Sequence, residues 1–200
     1  MYLTPNRSLI VDHLRNLFRG HRVGIAFLYL QYGDQVRQTA SGITGALLRQ
    51  LLSLEKEIDP TIVEEYDKWE MSGEGPSFAR LVELLISVSM SFSSVFFIFD
   101  ALDACERNER YHLLETITKL SNVSNVKIFA TSRPNLTDVN QCFTGASKIV
   151  IQTKSEDLGA YLIREVDRRM TACSEEEKSE VFRTLMETSL NLYREVVSIR

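Results

Sequence analysis

Asp100 and Asp103 stand three residues apart at the end of the most apolar stretch of the chain, Val95-Phe96-Phe97-Ile98-Phe99. Two carboxylates in such a place could share work: one can hold a divalent cation, and the other can orient or polarise a water. The five residues before them are β-branched or aromatic and leave neither face polar. That pattern suits a strand in the middle of a parallel sheet, with helices over both faces. The carboxyl end of such a strand is where open α/β sheets bind ligands. A second run, Val126 to Thr131, ends in Thr131-Ser132-Arg133-Pro134 and offers a cation and two hydroxyls in the equivalent place. Against this, Asp is common in turns after strands, and Arg133 after a strand could be a plain surface residue. Cys105 follows the acidic pair, but a nucleophilic role needs a neighbouring base, and the sequence offers none.

The elements that must position these groups alternate between helix and strand. A helical stripe runs over 6–19 through Leu9, Ile10, His13, Leu14, Leu17 and Phe18 and closes at Gly20. On that stripe His13 reads as a packed core residue rather than a ligand. Residues 23–30 read as a strand. Residues 39–54 read as a helix with Ile43, Leu47, Leu48, Leu51 and Leu52 on one side. Asp59-Pro60 opens a further helix to about Trp69, with the proline in its first turn. The glycines and proline of 72–76 make a loop. Ser77 caps a helix to about Ser89 whose core face is Phe78, Leu81, Leu84, Leu85 and Val88. After the Asp100 strand come a helix over 110–120, the 126–131 strand, a short strand over 148–151, and a helix capped by Ser155 that runs to about Met170. Ser174-Glu175-Glu176-Glu177 is a capping-box opening for a last helix, its acids solvated and favourable to the helix dipole. Tyr66 and Trp69 read as packing residues, and His21 and His112 as exposed. No internal repeat or low-complexity segment stands out. Strands separated by helices predict a parallel sheet with right-handed crossovers.

Composition narrows the function classes. Two hundred residues suit one domain with a sizeable core; 44% are hydrophobic and 25% charged, ordinary for a globular protein. The net charge of −4, with both signs interspersed, gives no electrostatic case for nucleic-acid binding. No apolar run reaches membrane-spanning length, and no basic segment leads an apolar core at the N-terminus, so neither a membrane span nor a signal peptide is expected. Cys105, Cys142 and Cys173 are odd in number and widely spaced. They fit reduced thiols in a cytoplasmic protein better than a disulfide framework or a zinc site.

In the order they occur, five segments resemble a NACHT-type, nephrocystin-3-like N-terminal domain of the STAND class of P-loop NTPases, a kind abundant in fungal proteins that also carry ankyrin or WD repeats. Ile10-Val11-Asp12-His13-Leu14 resembles the helix after the phosphate loop. Residues 23–32 with 38–52 resemble the second strand and its helix. Phe97 to Cys105 resembles the Walker B block, residues 128–134 the sensor strand ending Thr-Ser-Arg, and 155–164 the helix entering the lid. The likeness covers roughly residues 8–170. It implies a three-layer α/β fold over 1–153, a parallel sheet with flanking helices, followed by a helical extension over 154–200 that begins the lid. It also implies ATP and magnesium as the cofactors of intact relatives, with Asp100 as the magnesium carboxylate, Asp103 as the second acid and Arg133 as the sensor of the terminal phosphate.

The sequence departs from that pattern in places that matter chemically. No Gly-x-x-x-x-Gly-Lys-Ser/Thr phosphate loop is present. Ala104 stands where the family has a glutamate, and beyond about Thr171 the likeness ends. If the phosphate loop supplies on the order of 5 kcal/mol, its loss weakens nucleotide binding by a few thousandfold. The expectation is therefore a truncated or degenerate copy in which Asp100, Asp103 and Arg133 are vestigial, with no cofactor and no ATPase activity of its own. With the central phosphate-loop strand absent, the strands near 23–30, 95–100 and 126–131 would form a three-stranded parallel sheet. The 148–151 strand would lie across a gap or pair directly with 126–131, and the unpaired edge would favour self-association or a protein partner. Two other readings stay open. One is a non-enzymatic protein-interaction domain of a repeat-containing signalling protein. The other is an α/β metal-dependent phosphotransfer enzyme that uses Asp100 and Asp103, with Thr131 and Ser132 as helpers.

Overall fold

The structure is a computed structural model that describes residues 5–152, 154–189 and 194–199. Strands β1 (Val23–Tyr29), β2 (Ser94–Asp100) and β3 (Val126–Ser132) run parallel and adjacent in that order. Their register sets Ala26 beside Phe97 beside Ile128 on one face, and Phe27 beside Ile98 beside Phe129 on the other. The first face is covered by α2 (Ala40–Leu52), α4 (Phe78–Met90) and α5 (Arg107–Ser121). Leu47, Leu51, Leu85, Phe97, Phe99, Leu113, Ile117 and Ile128 form the fully buried heart of that core. Helix α1 (Pro5–Leu17) covers the second face through Val11, Ile10 and Leu14. The result is the expected three-layer α/β arrangement around a three-stranded parallel sheet.

Local signals set the element ends. Thr39 accepts a hydrogen bond from Gly42 N at the start of α2, Asp59 from Thr61 N at the start of α3 (Pro60–Ser72), and Ser77 from Arg80 N at the start of α4. Gly73, at φ +70°, ends α3 in the left-handed region. Gly24 lets α2 approach β1: a Cβ there would come within 2.9 Å of the Leu51 side chain. Helix α5 starts three residues before the expected 110, with Glu106 accepting from Asn108 N and Glu109 N. Helix α7 (Ser155–Arg169) has Lys154, not Ser155, at its cap, and Ser155 is its first helical residue. Ser174 and Glu177 bond reciprocally at the start of α8 (Glu175–Ser189), as a capping box requires.

Two expectations are corrected. His13 is exposed, because the buried stripe of α1 is centred on Val11, which is 3% exposed, and leaves Leu9 and Leu17 to solvent at 61% and 60%. The place between β3 and β4 (Ser147–Gln152) is not a gap, and β4 does not pair with β3. Strand β5 (Arg194–Ile199), which periodicity did not reveal, lies between them and is antiparallel to both. The sheet order is therefore β1-β2-β3-β5-β4. A short helix α6 (Thr137–Cys142) links β3 to β4. The boundary expected after Thr153 lies outside the described residues. Beyond it the chain is helical over α7 and α8 and then returns a strand to the sheet. Among the described residues, no helix is long and apolar enough to cross a membrane.

Candidate functional site

Parallel pairing of β1, β2 and β3 brings their carboxyl ends together, and with them every residue singled out for chemistry. Asp100, the last residue of β2, is 7% exposed. Thr131, near the end of β3, donates its hydroxyl hydrogen to Asp100 Oδ1 at 2.6 Å. The same hydroxyl accepts from the Ala101 N–H at 2.9 Å. Ala101 holds the left-handed conformation at φ 59°, ψ 54°, a strained place for a residue with a Cβ. That turn leads into a 3-10 turn, Leu102–Ala104, which buries Leu102 completely and leaves Ala104 only 1% exposed. Asp103, the middle residue of that turn, has a side chain that is only 9% exposed.

Asp103 is engaged from two sides. Its Oδ2 accepts the phenol hydrogen of Tyr32 at 2.7 Å and lies 3.2 Å from Arg133 Nε. Its Oδ1 accepts from the Arg133 backbone N–H at 3.2 Å. The Arg133 guanidinium also sits over the Tyr32 ring, 5.2 Å from the centroid. Burial and the Asp103 hydrogen bond push the Tyr32 phenol above its ordinary value, with the charge of Asp103 adding to them. The clasp ties the turn after β1 to the turn after β2 and to the end of β3.

Behind it, Arg110 on α5 is 8% exposed. It donates to Asp138 Oδ2 and to the Cys105 carbonyl, both at 2.8 Å. Glu109 accepts from Ala40 N at the start of α2. The Cys105 thiol is 2% exposed, and burial pushes it up to about 11, so it is an inert packing group.

The sequence reading found Asp100, Asp103, Arg133 and Thr131 but missed Tyr32, which lies 71 residues from its partner. No local pattern marks a phenol in the turn after a strand. It missed the Arg110–Asp138 pair for the same reason. Tyr66 and Trp69 sit elsewhere, on α3; Trp69 packs on the core as expected, but Tyr66 is 60% exposed and does not.

A magnesium ion with a nucleoside triphosphate needs carboxylate oxygens that face it and a dense set of donors for the phosphates. Here both oxygens of Asp103 already accept hydrogen bonds from Tyr32 and Arg133. Among the described residues, no three His, Cys, Asp or Glu side chains group at metal-binding distance. Asp100, the carboxylate that would face the metal, is 7% exposed and has Oδ1 engaged by the Thr131 hydroxyl, so the donor set as arranged does not fit the magnesium–nucleotide group.

Fold and site together define a three-layer α/β domain with an acidic strand end clasped by an arginine and a tyrosine. The family model described as nephrocystin 3, N-terminal, matches residues 7–133, well over half of the chain. The chain belongs to that family, and the matched span runs from α1 to the Arg133 that closes the clasp. No curated protein and no solved structure matches the chain.

Proposed function

We propose that this domain is a fragment or degenerate copy of a NACHT-type signalling NTPase module of the STAND class, with Asp100 as a former Walker B carboxylate and Arg133 as a former sensor. In this reading it neither binds nor hydrolyses ATP alone. It acts through protein contacts in a cytoplasmic, repeat-bearing parent. The observation that carries the reading is the state of Asp103. The second acid, which would orient or polarise a water, is instead the acceptor of a clasp between three strand ends. Family membership over 7–133 supports the ancestry. The antiparallel β5 supports the degeneracy, since the resemblance implies a parallel phosphate-loop strand in the middle of the sheet. Ala104 supports it further: at 1% exposure its side chain faces the core, where a catalytic glutamate could not meet solvent.

The test is calorimetric titration of the purified chain with magnesium and ATP, beside an Asp100→Ala control. The expected result is no heat of binding at millimolar nucleotide from a chain shown to be folded. Micromolar binding that the control abolishes would overturn the reading and indicate a site built without a phosphate loop.

A further inference from the structure

Between α3, α2 and α4 lies a recess of about 740 Å³. Leu48 and Leu52 of α2, Leu81 and Leu84 of α4, and Tyr66 and Trp69 of α3 give it an apolar wall. Helix α3 has no buried residue. It is tied down by the Glu65–Arg80 ion pair and by Ile62 and Trp69 packing on the core. Ile62, Tyr66 and Trp69 follow one another at helical spacing, so one side of α3 is apolar and lines the recess rather than closing it.

Gly45 lines the same recess. It lies inside α2, where glycine is destabilising relative to alanine. Its φ is not in the left-handed region, and a Cβ built on it meets nothing within 4 Å. No neighbour and no backbone angle requires glycine there; the consequence of having one is that the wall of the recess stays open. Gly75, in the loop before α4, also lines the recess and has the same free space.

We propose that this recess is a binding site for a small uncharged hydrophobic molecule with an aromatic or branched aliphatic body. Its volume and apolar lining are those of a ligand pocket. Its walls come from α2, the segment after it, α3, the Gly73–Pro76 loop and α4, which makes a recess rather than the long open stripe a partner helix occupies. The charged lining residues are Arg49, Glu70 and Glu74, so the rim is acidic on balance and disfavours an anion.

Trp69 is the only tryptophan, so occupancy has a built-in reporter. The probe is N-phenyl-1-naphthylamine, a neutral dye that brightens out of water and accepts energy from tryptophan. The expected result is saturable one-to-one binding to the full chain, with transfer from Trp69. Gly45→Phe should weaken it about tenfold or more, at unchanged circular dichroism and melting temperature. Gly75→Phe fills the recess from the loop side and should do the same, and it carries the test if the helix variant does not fold. Four results would overturn the proposal: no saturable binding by the folded chain; probe fluorescence without transfer from Trp69; binding that neither folded variant changes; or a concentration-dependent dimer, seen by sedimentation, that Gly45→Phe or Gly75→Phe breaks, which would assign the face to a second copy.

Discussion

Tyr32 gives Asp103 its shortest hydrogen bond, and the sign of its pH effect follows from that. The folded state raises the phenol above its ordinary value, so what the bond contributes is complete below pH about 10 and is lost as pH rises through the folded value. Tyr32→Phe keeps the ring under Arg133 and removes only the hydroxyl. It should cost about 1 kcal/mol or less, because Tyr32 is 52% exposed. Ultraviolet titration should lose a tyrosine phase above the ordinary range in the variant, and the stability gap between parent and variant should close as pH rises past that phase. A gap that holds constant into alkali would mean that the bond does not stabilise the fold. Ala104 permits a sharper forecast. Restoring the glutamate of the resembling family by Ala104→Glu would force a carboxylate into a site that is 1% exposed. The expected loss is about 3 kcal/mol or more in urea unfolding. A variant as stable as the parent would show that the Leu102–Ala104 turn can rotate residue 104 outward.

Among the elements, α5 carries the tie that holds the loop after β2 in place. Arg110 bridges the Cys105 carbonyl and Asp138 of α6. Burial opposes the charge on Asp138, but the hydrogen bonds from Arg110 and the Val139 N–H outweigh it and hold the carboxyl below its ordinary value. A depressed carboxyl contributes stability that is complete above its unfolded value near 4 and is lost as pH falls through the folded one. Arg110→Ala should therefore cost about 2 kcal/mol at neutral pH, a figure discounted for the 37% exposure of the Asp138 side chain. Part of that margin should vanish in acid unfolding curves; a cost that does not change with pH would assign Arg110 a packing role only.

The elements also show what a sequence does and does not carry. The parallel strands were legible as continuous apolar runs, since both their faces are covered, and the helices over their main core face because each buries one periodic stripe and its caps are local chemistry. The meeting of Asp100, Asp103 and Arg133 was legible because all three lie at or just beyond the carboxyl ends of two parallel strands of one sheet. Tyr32, Arg110 and the true face of α1 were not, because each depends on a partner far along the chain. Strand β5 was hidden for another reason: Arg194-Glu195-Val196-Val197-Ser198-Ile199 neither alternates strictly nor forms a continuous apolar run.

At the scale of the whole molecule, β5 decides whether the sheet is continuous. It runs antiparallel between β3 and β4, so the right-hand part of the sheet is joined through it alone. The strand beyond it is weakly covered: Ile149, Val150 and Ile151 of β4 are about half exposed, at 54%, 57% and 49%. Removing β5 would bare the inner edges of β3 and β4, and an apolar strand edge without a partner recruits another chain. A chain ending at Ser189 should therefore keep the α2–α4–α5 core but elute as dimers or larger aggregates in size-exclusion chromatography. Backbone pairing is what the slot offers, so a synthetic peptide of residues 190–200 should bind the shortened chain and restore a monomer, as strand addition does at other open edges. If the shortened chain stays monomeric with an unchanged melting temperature, β5 is dispensable and the sheet ends at β3. If the peptide restores the monomer, the slot between β3 and β4 accepts a strand in trans, the kind of contact through which a domain can join a larger assembly.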